Sequence, residues 1–393
     1  MPPLPSPGAH ERMRILLTGA GGQVGTDLIA LLVARGHQVT GTDLSKAPAG
    51  LPPGVAWAQT DVTVAEEVFD AVKAAKPEVI HHLAAILSAT GERIPFRAWR
   101  VNMDGTRNVL EAARLFGVRQ VVFTSTIAAF GPGLCDPVGN DVSMRPTTMY
   151  GLTKVAGELL GEYYATKWGI DFRGVRFPGL ISAVEPGGGT SDYVNFMYFH
   201  GVRKGAYDAF CRPDTTIPLM YMPDALRALV ELSEAPAARL KHRMFNIAAM
   251  SPRADEIAAC LAKRLPGVRF GWKPDPMKQA ILDSWPKRLD DSAARAEWGW
   301  KPEYDLERMT DELLALVRAL PLEGGATAVP TAKPAAKSSA KPLVLPAAAP
   351  AGKAPVKTPT ASKSAVPARP VAGARKPAAA KATSAAPAGK RKA

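Results

Sequence analysis

A short apolar run, Arg14 to Leu17, leads directly into Thr18-Gly-Ala-Gly-Gly-Gln-Val-Gly25 and then into a second apolar stretch, Leu28 to Ala34. A strand, a glycine turn and a helix in immediate succession restrict the fold more than any other feature of this chain. Glycines at 19, 22 and 25 permit a tight turn, close approach to the backbone and close packing of the helix on the strand. The alternation then continues. Gln38 to Thr42, Val55 to Gln59, Val79 to Leu83 and Gln120 to Thr124 read as short strands, each preceded by helical or turn material. Met103 to Phe116 places Val109, Leu110, Ala113 and Phe116 on one helical face, as a helix covering a sheet requires. A long helix over about Gly151 to Trp168 and a strand at Asp171 to Arg176 extend the series. The expectation is an α/β fold built on a doubly wound parallel sheet.

Beyond that point the rhythm loosens. Residues 179 to 215 are rich in glycine and aromatics; a helix (Pro223 to Leu232), a strand (Met244 to Ile247) and a helix opening at Ser251-Pro252 follow. Serine as N-cap with proline at the first helical position is a standard start signal. The expected organisation is a nucleotide-binding domain over 13–178, rejoined by about 216–248. Residues 179–215 and 249–321 form a small substrate-binding cap, and 322–393 form a tail.

Charge separates the tail from the rest. Of 49 basic residues, 13 lie after Glu323, where no acid occurs, leaving 36 basic against 36 acidic residues before it. The tail is almost wholly Ala, Pro, Lys, Ser, Thr, Val and Gly, without aromatics, so it cannot bury enough apolar surface to offset its chain entropy and is expected to be disordered. Its cations suit non-specific contact with nucleic-acid phosphates. Three scattered cysteines, Cys135, Cys211 and Cys260, fit neither a disulfide framework nor a zinc site. No apolar run approaches the roughly 18 residues of a spanning helix. Prolines near the start interrupt any signal-peptide helix, and Met13 is a second candidate initiator. A cytoplasmic protein with no membrane contact is expected.

The glycine turn also points to a ligand. A pyrophosphate placed at the positive end of the following helix would meet Gly19, Gly22, Gln23, Val24 and Gly25. Asp43, ending the second strand, would accept hydrogen bonds from both adenosine ribose hydroxyls and repel a 2′-phosphate, which favours NAD over NADP. Asp61 and Val62, ending the third strand, would lie beside the adenine. Leu83, Ala84 and Ala85, ending the fourth, would lie beside the cofactor's middle, since open α/β sheets bind ligands at the carboxyl ends of their strands.

Tyr150 and Lys154 stand four apart at the start of a helix, so they share a face. A phenol is a poor base at neutrality; bringing its pKa from about 10 to about 7 takes roughly 4 kcal/mol of differential stabilisation. An ammonium at Lys154 and an oxidised nicotinamide ring would both favour the phenolate. Tyr150 could then take a hydroxyl proton while hydride leaves the same carbon. The preceding strand ends in Thr124, Ser125 and Thr126, any of which could hold the substrate oxygen.

These motifs resemble the extended short-chain dehydrogenase/reductase superfamily: TGxxGxxG, the acid ending strand two, HLAA, the hydroxyls before AAFG, YGLTK and DDSAARAEWGWKPEYDL. More narrowly, HLAAILSATGE, RFPGLIS, PGGGTSDY, PLMYMPDALRA, FNIAAMS and DSWPKRLDD resemble the short-chain type of L-threonine 3-dehydrogenase over about 13–320. The resemblance implies a Rossmann domain with NAD, no metal, and oxidation of the C3 hydroxyl of L-threonine to 2-amino-3-oxobutyrate. It implies Tyr150 as proton acceptor, Lys154 as its tuner and ribose ligand, and Thr126 as the helper hydroxyl. It places Pro178 and Leu180 beside the nicotinamide, and Ser88, Thr190 and Asp192 around the substrate. It further implies a homodimer, and delivery of the product to a 2-amino-3-oxobutyrate CoA ligase.

Two other functional classes fit parts of the sequence. A nucleotide-sugar epimerase or dehydratase would keep the same cofactor and need a cap that grips a diphosphate, for which Arg203, Lys204 and Arg212 are the cations of 179–215. A nucleic-acid-associated protein would work through the tail. Asp192 can also be read as an anchor for its glycine loop, and Trp285 as a pocket wall or a core residue. His81 and His82, adjacent in a strand, point to opposite faces and cannot share a metal. Ile257, Cys260, Leu261 and Leu265 form a helical core stripe.

Overall fold

The computed structural model describes residues 12–185 and 187–321. The expected disordered tail and residues 1–11, with the first candidate initiator Met1, lie outside the described residues. Among the described residues there are eleven strands: β1 (Arg14–Thr18), β2 (Gln38–Asp43), β3 (Ala56–Gln59), β4 (Val79–His82), β5 (Gln120–Thr126), β6 (Asp171–Phe177), β7 (Gly179–Ile181), β8 (Ala206–Ala209), β9 (Leu219–Tyr221), β10 (Met244–Asn246) and β11 (Arg269–Trp272). The helices are α1 (Gln23–Ala34), α2 (Ala65–Ala75), α3 (Ser88–Arg93), α4 (Pro95–Trp99), α5 (Gly105–Phe116), α6 (Met149–Trp168), α7 (Tyr193–Lys204), α8 (Met222–Glu234), α9 (Ala254–Ala262), α10 (Pro276–Asp283), α11 (Ser292–Trp298) and α12 (Leu306–Ala319).

Seven strands form one sheet in the order β3-β2-β1-β4-β5-β6-β10, with every pairing parallel. The order reverses between β1 and β4, the place where an open sheet of this kind leaves a crevice beyond its carboxyl edge. The inner strands β1, β4, β5 and β6 are buried along almost their whole length, while β3 at the edge is not. Leu28, Ile29 and Leu32 of α1 pack with Ala225, Ala228 and Leu229 of α8 on one face; Val109, Leu110 and Ala113 of α5 pack with Val68 and Val72 of α2 on the other. The doubly wound parallel sheet read from the alternation is therefore the fold.

A third apolar cluster joins α7, α9, α10 and α12 around Tyr193, Met197, Ile257, Ile281 and Leu313. The loose region 179–215 contributes β7, α7 and β8 to it, and β8 pairs with β11 in a separate parallel ribbon. The expected stripe holds: Ile257, Cys260 and Leu261 are buried, with Leu265 packed against the same cluster.

Two local expectations fail. The helix expected from Ser251-Pro252 begins at Ala254, with Arg253 as its N-cap. Residues 250 and 253 bridge antiparallel to Leu219 and Thr216, which holds the chain extended through Pro252. Phe116, expected on the covering face of α5, is 40% exposed and sits edge-on to Phe69. Phe116 is the last residue of α5, where Gly117 turns the chain in the left-handed conformation, so its ring sits at the helix end beside α2 and not over the sheet.

Candidate active site

The crevice between β1 and β4 opens into a cavity of about 470 Å³, within the range of small-molecule sites. Gly19, Gly22, Gln23, Val24, Gly25, Asp43, Asp61, Val62, Leu83, Ala84, Ala85, Ser88, Thr126, Tyr150, Lys154, Pro178, Leu180, Thr190 and Asp192 all line it. So the structure brings together every residue expected at the site. Asp61 and Val62 lie just past β3, and Leu83 to Ala85 just past β4, rather than within the strands.

The glycine turn is shaped by two close approaches. Gly19 has φ +69°, and a Cβ there would stand 2.6 Å from the Ala84 nitrogen. At Gly25 a Cβ would stand 2.6 Å from the Gly19 carbonyl oxygen, so only glycine lets α1 start this close to β1. The helix opens with no side-chain cap and no acid in its first turn, leaving its first N–H groups available to an anion. Asp43 braces the turn: its Oδ2 accepts from Gly21 N at 3.1 Å, while its Oδ1 accepts from Ser45 N and Oγ at 2.9 and 2.8 Å. The Gln23 side chain donates to the Ser182 hydroxyl, which links the turn to β7 and so to Asn195 of α7. This turn, with a carboxylate ending β2, fits the adenosine diphosphate half of a dinucleotide.

A buried network sets the floor. Thr106 Oγ1 donates to the Asn102 carbonyl at 2.5 Å, so it accepts from His82 Nε2 at 3.0 Å, and His82 Nδ1 accepts from Thr18 Oγ1 at 2.7 Å. Burial, with the Lys154 charge adding to it, pushes His82 down to about 3, so the ring is neutral and this tautomer follows. Asn102 holds Ile86 through both its N–H and its carbonyl and donates to Thr153 Oγ1 at 3.0 Å. The segment after β4 is thereby tied to the start of α6. Apart from the Asn102–Thr106 bond, one helical turn long, none of this network was legible in the sequence, because its partners are separated by 16 to 64 positions.

Tyr150 and Lys154 lie on the first turns of α6, whose N-cap Thr148 accepts from Gly151 N at 3.1 Å. Lys154 Nζ donates to the Thr124 carbonyl at 2.5 Å and stands 5.8 Å from the centre of the Tyr150 ring. Of the three hydroxyls left open by the sequence, Ser125 donates to the buried Glu158, itself gripped by Arg176 at 2.7 Å. Thr124 Oγ1 donates to the His82 carbonyl at 3.3 Å. Thr126 remains; its Oγ1 accepts from Ala128 N at 3.2 Å and its side chain faces the phenol.

Burial dominates the electrostatics of the pair. Burial pushes the phenol up to about 12, with the nearby Thr126 hydroxyl working the other way. Burial also pulls Lys154 down to about 7, against the attraction of Glu158. Near neutrality the lysine is only partly charged and cannot by itself make the phenol acidic.

At the far end, Ser88 is buried at the first position of α3 and its hydroxyl pairs with Thr190 Oγ1 at 3.0 Å while accepting from Thr190 N at 3.3 Å. The two hydroxyls carry two hydrogens and use one between them, which leaves one donor for a ligand. Asp192 Oδ2 accepts from Gly188 N and Gly189 N at 3.0 and 2.8 Å, so it anchors the glycine loop, and burial raises its pKa. Trp285 lines the same end, buried, with its indole N–H unpartnered. His81 and His82 do face opposite sides of the sheet, His82 against Phe123 and His81 toward His37.

Fold and site together define the class. The NAD dependent epimerase/dehydratase family model matches residues 15–248, and the chain belongs to that family, whose enzymes use a nicotinamide cofactor. It is similar to an uncharacterised epimerase/dehydratase of Staphylococcus haemolyticus, 44% identical over 77% of this chain and 97% of the relative. Among solved structures it is similar to L-threonine dehydrogenase from Clostridium difficile, at 41% identity and TM-score 0.74 over 78% of this chain and 98% of that one. A monomeric L-threonine 3-dehydrogenase from a metagenome is similar at 38% identity and TM-score 0.74, over 77% and 98%. The resemblance read from the motifs thus extends to whole structures.

Proposed function

We propose that this chain oxidises the C3 hydroxyl of L-threonine to 2-amino-3-oxobutyrate with NAD as hydride acceptor. The observation that carries the reading is the likeness, near 40% identity over almost their whole length, to proteins described as L-threonine dehydrogenases. The cavity chemistry agrees with it. The spare hydroxyl hydrogen of the Ser88–Thr190 pair would bond the substrate carboxylate, and the raised Asp192 carboxylate would be returned toward its ordinary range by an adjacent ammonium. Thr126 would hold the C3 hydroxyl against Tyr150.

Bound beside Tyr150, the cofactor would supply a hydride acceptor and a positive ring. The phenol then needs both cations: Lys154 held at the Thr124 carbonyl and that ring in the same dry pocket. Tyr150 takes the hydroxyl proton, the C3–H pair of electrons leaves as hydride, and the carbonyl forms. Residues 13–178 with 216–248 would carry the dinucleotide, and 179–215 with 249–321 the substrate. Asp43 would set the preference for NAD.

A nucleotide-sugar substrate fits less well. Arg203 pairs with Glu185, Arg212 with Asp283 at 2.8 Å, and neither these nor Lys204 lines the cavity. The implied homodimer would use the exposed face of α6, where Leu159 and Tyr163 are 60% and 53% exposed. A cytoplasmic setting, delivery of the product to a CoA-dependent ligase, and phosphate contacts by the basic tail complete the reading. Among the described residues no helix is long and apolar enough to cross a membrane.

NADH absorbance with L-threonine, L-serine and a panel of UDP-sugars is the test. Turnover of threonine is expected; silence with threonine and turnover of a sugar would overturn the assignment. Tyr150→Phe should lower threonine turnover by about 10²–10⁴-fold and leave NAD affinity within a few-fold.

A further inference from the structure

The cavity contains one cation that the scheme above leaves idle. Arg97, the third residue of α4, lines the same cavity as the glycine turn. Arg100 and Arg107 share Asp104 at 4.0 and 3.7 Å, and Arg93 bonds Thr90 Oγ1 at 3.3 Å. The Arg97 guanidinium, in contrast, forms no hydrogen bond or ion pair among the described residues. The acids of the cavity wall are occupied elsewhere, Asp43 by Gly21 and Ser45, Asp61 by Thr63, and Asp192 by its own loop. An exposed, unpaired guanidinium adds little to the fold, so its place on this wall is better explained by an anion that enters the cavity.

Position along the helical segment says which anion. Arg97 and Val101, one turn apart, both line the cavity. The next turn brings Gly105 against Val62, where a Cβ would stand 2.8 Å from Val62 Cγ2, at the adenine end. The other side of the segment, Ala98 and Asn102, meets Gly91 and Thr153 beside Tyr150. Arg97 therefore belongs to the adenosine side of the cavity, which also contains the uncapped start of α1.

We propose that Arg97 closes over the diphosphate of the dinucleotide from the wall facing α1. The helix N–H groups take phosphate oxygens on one side, and the guanidinium fork takes them on the other. This rests on the dinucleotide reading of the cavity and is independent of which alcohol is oxidised.

Calorimetric titration of full-length wild type, Arg97→Gln and Arg97→Lys with ADP, adenosine and UDP tests it. The glutamine variant is expected to bind ADP about tenfold more weakly and adenosine within twofold of wild type, with lysine recovering part of the loss because it offers a point charge in place of a fork. Raising salt should weaken ADP binding more in wild type than in Arg97→Gln. Unchanged ADP affinity, equal losses for ADP and adenosine, or a loss confined to UDP would each overturn the proposal. If wild type binds neither ADP nor adenosine, the dinucleotide reading falls, and this proposal with it.

Discussion

Lys154 is the residue at which stability and chemistry conflict most openly. It is 4% exposed, and burial pulls it down to about 7. The unfolded lysine holds its proton to about 10.4, so between those values the unfolded state binds more protons and stability rises with pH. Below pH 7 the folded protein bears the whole cost of burying the charge. Lys154→Met should therefore melt at a higher temperature than wild type at pH 6, with the difference shrinking toward pH 10, and should lose at least about 100-fold in threonine turnover. Calorimetric melts of both proteins from pH 6 to 10 read this directly; a variant that melts lower at pH 6 would show that Lys154 is a structural asset. The pairing of Tyr150 with Lys154 was legible because the helical period alone brings positions four apart together. The direction of the phenol's shift was not, since it depends on burial by groups distant in sequence.

Helix α6 delivers these two side chains, and its glycines decide how close it comes. A Cβ at Gly157 would stand 2.7 Å from Phe123 Cζ, and one at Gly161 would stand 2.0 Å from Phe172 Cζ. The helix lies directly on rings of β5 and β6, and this closeness puts Lys154 within reach of the Thr124 carbonyl. Gly161→Ala gains helix propensity yet should destabilise the fold by about 1–3 kcal/mol through overpacking, visible as a lower urea midpoint. Turnover should fall with it, because lifting α6 lengthens the lysine bond; a variant as stable and active as wild type would refute this account of the helix's seating. Strand and helix order were legible from alternation, whereas helix starts were not. Ser251-Pro252 carries the local start signal, but pairing with 216–219 overrides it.

On the scale of the molecule, a near-neutral catalytic body is joined to a run of 13 cations without an acid. Truncation after Glu323 should leave melting temperature and threonine turnover unchanged and remove salt-sensitive binding to duplex DNA, measured by anisotropy at two salt concentrations. Equal DNA binding with and without the tail would sink that role. One apolar cluster joins elements from 179–204 and 254–319, so the cavity wall that holds Thr190, Asp192 and Trp285 is built by segments that sequence order keeps apart.

The sequence by itself determined the doubly wound sheet, the glycine turn with its helix, the carboxylate ending β2, and the Tyr150–Lys154 pair. Each is a local pattern, written in neighbours a few positions apart and enforced by backbone geometry. The tertiary structure alone decided which of three hydroxyls meets the phenol and what pKa the phenol and lysine acquire. It likewise decided that His82 is neutral and bonded to two threonines, and that Arg97 stands unpaired on the cavity wall. Those properties arise from burial and from contacts between distant segments, and no window of sequence contains both partners.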